Sequence, residues 1–278
     1  MGFRIATNVQ SLAAQRTLNN NREAQNRSLE KLSAGERITR AGDDAAGLAI
    51  SEKLKAEIRS MRQANRNAND GISLIQTAEG GLNEIQNILI RLRELSMQAA
   101  SDTVGDVERS FSNKEVQSLV SEMSRISEVT RYNGMTLLNG QGDTLELQVG
   151  THNHPDQDRL SYDRASSDAS VSRLGLMGMN VATKVDAQNN LARIDEAIRI
   201  VNDNRAGFGA LQNRLQSTIN NLTIADENLS AANSRIRDVD VALESSELTK
   251  RNILMQAGTA MLAQANSNGM LALKLISG

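Results

Sequence analysis

Residues 191–229 read LARIDEAIRIVNDNRAGFGALQNRLQSTINNLTIADENL. Taken from Leu191 in alternating steps of three and four, the positions are Leu191, Ile194, Ile198, Val201, Arg205, Phe208, Gln212, Leu215, Ile219, Leu222, Asp226 and Leu229. Nine of these twelve are apolar. A narrow apolar stripe with a mean period of 3.5 residues marks a helix packed lengthwise against another helix. At roughly 1.5 Å per residue the stripe runs for about 60 Å. An earlier stretch keeps the same register through Ile75, Ala78, Leu82, Ile85, Leu89, Leu92, Ser96 and Ala99. Two such seams predict a mainly α chain built as a long helical rod or coiled coil. Rods usually bear load or assemble rather than catalyse.

Composition agrees with thin helical layers. The 278 residues include no Trp, two Tyr, three Phe and one proline, Pro155. Leu, Ile, Val, Met and Ala must therefore fill the core, and helix is forbidden almost nowhere. The net charge of −2 leaves no electrostatic footprint for nucleic acid. Residues 1–40 carry seven Lys or Arg against three Glu, whereas residues 238–278 carry three basic and four acidic groups. That asymmetry favours the meeting of the two ends, but only weakly. The absence of cysteine leaves stability to helix packing and self-association. No apolar run reaches the length of a membrane span. The opening segment lacks the apolar run of a secretory signal, so export, if it occurs, is expected without a cleaved signal peptide.

Residues 1–33 read as a first helix with Ile5, Val9 and Leu12 on one face, stopping near Gly35, a left-handed cap. Asp43 and Asp44 then read as a helix cap rather than a metal or acid–base pair, because no partner residues accompany them. Asn69-Asp70-Gly71 has turn chemistry, yet apolar spacing resumes at Ile72, so a turn and one long helix both fit. Val116, Leu119, Met123 and Ile126 mark a further helix. Near Asn133-Gly134 the character changes to a glycine-richer stretch that lasts until about residue 187. Within it Leu145–Val149 alternates as a strand does, and Arg159–Tyr162 is its expected partner in one small β-hairpin. His152 and His154 sit in the loop between them. They lack a third and fourth ligand at defined spacing, so no metal site is assigned. No phosphate loop, nucleophile elbow or Cys/His cluster is present, no cofactor is expected, and no enzyme activity follows.

The stretches Arg37–Ser51, Arg66–Gly80 and Tyr132–Leu138 resemble the N-terminal region of bacterial flagellins. Ser234–Asp238 and Gln256–Asn266 resemble the flagellin C-terminal region. The resemblance covers residues 1–140 and about 185–278. It departs at Val239, where Ala is usual, and at Asn266-Ser267-Asn268-Gly269, where a Pro-containing turn is common. It implies an antiparallel helical rod drawn from both chain ends, with a terminal coiled-coil core domain of residues 1–40 plus 238–278. Residues 41–237 would form a helical rod domain with its hairpin region near 140–180. Only some 45 residues separate Leu138 from the returning helices, too few for a large variable outer domain. A minimal flagellin is expected, with the turn signal at Gly71 overruled.

The resemblance further implies a homopolymeric extracellular filament for swimming, reached by type III export, with a chaperone on the C-terminal segment and contacts to flagellar cap and junction proteins. A patch of Arg91, Leu95 and Glu115 would match the one an animal Toll-like receptor sees. The residues themselves point to assembly. Leu254, Met261 and Leu262 fall at helical spacing, and Leu271 and Leu275 lie almost at the terminus. With Ile5, Val9 and Leu12 they form the expected assembly interface, because large apolar residues at a chain end are hard to bury within one monomer. The alternatives are a flagellin-like hook–filament junction protein, an intracellular coiled-coil adaptor, and a metal-dependent enzyme that would need metal at His152 and His154.

Overall fold

The structure is a computed structural model that describes residues 7–277, with residues 268–277 as helical backbone alone. The described elements are α1 (Val9–Ala34), α2 (Ala45–Ala99), α3 (Asp106–Val129), β1 (Arg131–Tyr132), β2 (Met135–Thr136), β3 (Leu145–Gln148), α4 (Pro155–Asp158), β4 (Arg159–Tyr162), α5 (Lys184–Arg237) and α6 (Val241–Ser277). Two compact units divide the chain. One comprises residues up to Ile58 and from Glu227 onward, and the other is Arg59–Asp226.

In the Arg59–Asp226 unit, α2 and α5 lie antiparallel. Arg93 pairs with Asp195 at 2.7 Å and Arg62 with Asp226 at 2.9 Å, while Arg205 donates to Gln86 at 2.8 Å. The α2 seam is as the spacing predicts: Ile75, Ala78, Leu82, Ile85, Leu89, Leu92, Ser96 and Ala99 are all buried. No turn forms at Asn69-Asp70-Gly71, and α2 runs through it unbroken. A Cβ on Gly71 would stand 2.6 Å from a methyl of Leu147 and 3.4 Å from one of Leu215. This glycine therefore serves close approach of β3 and α5 rather than chain reversal.

The α5 seam differs from its reading by one residue in every second position. Ile194, Val201, Phe208 and Leu215 are buried as expected, but Asn190, Ala197 and Leu211 replace Leu191, Ile198 and Gln212, which are only half-buried. The reading favoured the larger apolar side chains. Adjacent helix positions border the same face, and Ala197 is the fully buried one. Asn190 is accommodated because its amide donates to the Asn180 carbonyl at 2.8 Å.

The hairpin is β3 with β4, in the register Leu145↔Tyr162 to Gln148↔Arg159. Asn67 donates to the Gln148 carbonyl at 2.9 Å, which fixes the hairpin to α2. Tyr162 lies 5.5 Å from Phe208 of α5, ring to ring. A second ribbon, β1 with β2, was not anticipated. Asn133 and Gly134 both take positive φ, 48° and 81°, as a two-residue hairpin turn with right-handed strand twist requires. Between β4 and α5 an irregular segment buries Leu174, Leu176, Met179 and Val181. The amide of Val181 donates to Asn113 of α3, and that of Ala169 to the Leu138 carbonyl. Arg109 of α3 is buried and closes the end of α2, donating to the carbonyls of Ala99 and Ser101 at 2.9 Å each. A cation at a helix C-terminus meets the negative end of its dipole.

The other unit is built from α1 and α6, antiparallel, with the ends of α2 and α5. Asn8 accepts from the Ser11 amide and starts α1; Gly35 ends it in the left-handed conformation at φ 70°. Beyond it, Arg37 donates its amide to the Arg237 carbonyl and Val239 donates to that of Gly35. Asp44 caps α2 by accepting from Gly47 at 2.9 Å. Asp43 accepts from the amides of Arg40 and Thr39 and from the Thr39 hydroxyl. These bonds, the Arg40 amide first, hold its carboxyl below the usual range. Both aspartates thus shape the turn that launches α2.

Candidate assembly interface

The contact between α1 and α6 has its own heptad seam, and its chemistry is unusual. The half-buried or buried positions that keep this register include the N-cap Asn8 and, on α1, Ser11, Ala14, Leu18, Asn21, Gln25, Ser28 and Leu32. On α6 they include Glu244, Leu248, Arg251, Met255, Gly258, Leu262 and Ala265. Hydrogen bonds cross this seam along its length. Asn8 donates to the Ala265 carbonyl at 2.9 Å, Arg251 to Asn21 at 3.3 Å, and Gln25 to Asn252 at 2.6 Å. Midway, a Cβ on Gly258 would come within 3.3 Å of Leu18. The two helices meet largely through small and polar residues.

Several of their larger apolar residues are exposed instead. Val9 is 63% exposed, Leu12 57%, Leu254 38% and Met261 65%. Among the described residues of this unit, the only buried apolar side chains are Ile38, Ile58 and Ala265. Leu262 is half-buried on the α1 side of α6, so it is a seam residue. Ile5 lies outside the described residues, and so do the side chains of Leu271 and Leu275. Of the expected interface residues, Val9 and Leu12 on α1 and Leu254 and Met261 on α6 are thus exposed. The reading missed Leu29, Val241, Leu243 and Ile253, which are also exposed. Their signal was in the sequence, as large apolar residues off the seam register.

At the root of the helix pair Arg237 pairs with Glu36, at 3.0 Å, and with Glu52. Ser51, fully buried, donates to Asn233 at 2.7 Å. Ile38, 2% exposed, sits over Gly47, where a Cβ would come within 2.9 Å of its end. These contacts anchor the start of α2 to the α5–α6 connection within the same unit.

The remaining candidates lie in the Arg59–Asp226 unit. Arg91 is exposed and holds Glu115 of α3 at 2.8 Å and Glu94 at 3.0 Å. Leu95 is 3% exposed and belongs to the core beneath them. His152 bonds Thr151 at 3.0 Å, and the backbone amide of His154 donates to Asp158 at 3.0 Å. Among the described residues no group of three or more His, Cys, Asp or Glu could hold a metal ion. No helix there is long and apolar enough to cross a membrane.

Fold and interface together define a helical protein whose terminal helices carry several exposed large apolar residues. The sequence matches the bacterial flagellin N-terminal helical region over residues 5–143 and the flagellin C-terminal helical region over residues 191–275. The chain therefore belongs to the bacterial flagellin family. A flagellin of Halalkalibacterium halodurans is 46% identical over 272 residues, covering 98% of this chain and 99% of its own length. The flagellin of Bacillus subtilis is 43% identical over 305 residues, covering 99% and 100%. The crystal structure of Bacillus cereus flagellin superposes with a TM-score of 0.51 at 31% identity, over 60% of this chain and 94% of that one.

Proposed function

We propose that this chain is the structural subunit that polymerises into the extracellular flagellar filament used for swimming. The observation that carries this reading is the inverted helix pair: α1 and α6 share a small, polar seam and leave Val9, Leu12, Leu254 and Met261 outside. Two helices without a third layer cannot enclose such residues, and each is worth about 1.5–3 kcal/mol when fully buried. Repeated copies of the same pair supply the missing layer, and a head-to-tail contact of this kind propagates into a filament. The role is structural, not catalytic.

On this reading residues 1–40 and 238–278 form the assembling domain, and residues 41–237 a middle domain carrying the hairpin. Ile5, Leu271 and Leu275 complete the interface, and Leu262 supports it from the seam with α1. Export proceeds through the flagellar type III apparatus without a cleaved signal, with a chaperone shielding the C-terminal apolar segment until assembly. The filament ends meet cap and junction proteins. Arg91 and Glu115, with Leu95 beneath them, form the patch for a host Toll-like receptor.

The test is seeded polymerisation of the purified chain, followed by electron microscopy, beside Leu254→Asp combined with Met261→Asp. Long filaments from the parent are expected, with none from the variant although its monomer keeps its helicity. Filaments of normal length from the variant would remove the outward face from assembly. A parent that stays monomeric when seeded would make a junction protein or an adaptor the better reading.

A further inference from the structure

Among the outward apolar residues described on α6, one is chemically unlike the rest. Met261 presents its thioether at 65% exposure, beside Leu254, Ala257 and Ala260 on the outer side of the helix. Leucine would serve burial equally well, but only the sulfur accepts oxygen. We propose that Met261 is an oxidation site through which peroxides control whether the subunit can assemble; the proposal rests on the filament-subunit reading above.

The chemistry is a two-electron transfer. The sulfur lone pair attacks one oxygen of hydrogen peroxide and the O–O bond breaks. That oxygen's proton passes to the leaving hydroxide, giving methionine sulfoxide and water. Sulfur is oxidised and the peroxide reduced, with no other reactant. The sulfoxide is polar and chiral where the interface needs a flexible apolar group. In the free chain nothing covers the sulfur. In a filament that buries this face, a neighbouring subunit does. The site is thus open before assembly and closed after it, and sulfoxide reductase chemistry can restore it. Met255, half-buried on the α1 side of the same helix, lacks this contrast. Met97 and Met177 are exposed at 52% and 67% but belong to the other unit.

The experiment treats the full chain with hydrogen peroxide, removes the excess with catalase, maps sulfoxides by mass spectrometry and then measures seeded polymerisation. Each chain is compared with its own untreated sample. Oxidation is expected to raise the concentration needed for elongation about tenfold, the cost of a lost apolar contact of methionine size. Methionine sulfoxide reductases should reverse it. The double variant Met97→Leu, Met177→Leu should respond as the parent does, and Met261→Leu should respond far less. Equal loss in Met261→Leu would overturn the proposal. If that variant does not elongate at all, the map decides: sulfoxide forming at Met261 as fast in filaments as in free chains overturns the proposal, and protection in filaments supports it. Failure of the untreated parent to polymerise instead overturns the subunit reading, and the proposal with it.

Discussion

The two units of this chain use the same helical period to opposite ends. In Arg59–Asp226 the seam positions of α2 and α5 are Ile75, Leu82, Leu89, Ile194, Val201 and Leu215, and all are fully buried. A third helix, two ribbons and the irregular segment before α5 cover what these two helices leave open. In the α1–α6 pair the seam mixes serine, asparagine, glutamine, glycine and alanine with half-buried Leu18, Leu32, Leu248, Met255 and Leu262, while Val9, Leu12, Leu254 and Met261 lie outside. The first unit is a closed core that one chain completes. The second is an open layer whose apolar face needs further copies. Periodicity shows that a helix has a packed face; the side chains on and off that face show whether its own chain does the covering.

The comparison can be broken most forcefully by truncating one leucine in each unit. Leu89→Ala should cost about 2–5 kcal/mol, because it leaves a cavity in a sealed core. Leu12→Ala, on the outer face, should stay within about 0.5 kcal/mol. Thermal melts of the two monomers, followed by circular dichroism, decide it. Similar losses at both positions would mean that the monomer already buries its outer face.

A smaller effect tests the seal around the hairpin. The Tyr162 hydroxyl donates to the buried Leu137 carbonyl at 2.8 Å. Tyr162→Phe should cost about 1 kcal/mol by leaving that carbonyl unpaired. Burial pushes the Tyr162 phenol above its ordinary 10. The folded chain therefore keeps a proton that the unfolded chain releases first. This contribution is whole below the unfolded value and is lost as pH rises through the folded one. Above about pH 10 the parent should lose stability faster than Tyr162→Phe; parallel slopes in alkaline urea melts would show that the phenol is not sealed.

The smallest effect compares two helical glycines. A Cβ on Gly81 would stand 2.7 Å from both Leu138 and Thr130, inside the closed unit, whereas on Gly258 it would stand 3.3 Å from Leu18 in the open pair. Gly81→Ala should be destabilising by about 1 kcal/mol, since crowding outweighs helix propensity. Gly258→Ala should gain about 0.5 kcal/mol, because the half-buried Leu18 can move aside. Melting temperatures that shift the same way would contradict this difference in packing freedom.

Much of this was legible in advance. All eight seam residues of α2, the left-handed end of α1 at Gly35, the capping aspartates and the β3–β4 hairpin follow from local rules of spacing, caps and alternation. The β1–β2 ribbon was also legible, since Asn133-Gly134 is a strong two-residue turn signal that the reading left unused. The α5 seam was less accessible. Ala197 is buried and Ile198 half-buried, and spacing alone does not say which of two adjacent apolar residues lies deeper. The interface divides in the same way. Val9, Leu12, Leu254 and Met261 stood out as large apolar residues near the chain ends, but Leu262 shares their composition and faces inward.

The sequence by itself determined that the chain is helical, that its helices pair lengthwise, and that its ends carry apolar residues at heptad-like spacing. Those properties depend on neighbours three or four residues apart, which any reader of the chain can count. Only the tertiary structure decided that Gly71 is a contact point and not a turn, and that Leu95 is core. It also decided that the α1–α6 seam is rich in small and polar residues, so that Leu12 and Leu254 stay exposed while Leu18 and Leu262 are half-buried. Which side of a helix is covered depends on residues more than two hundred positions away, as Asn8 and Ala265 show, and no local pattern records that distance.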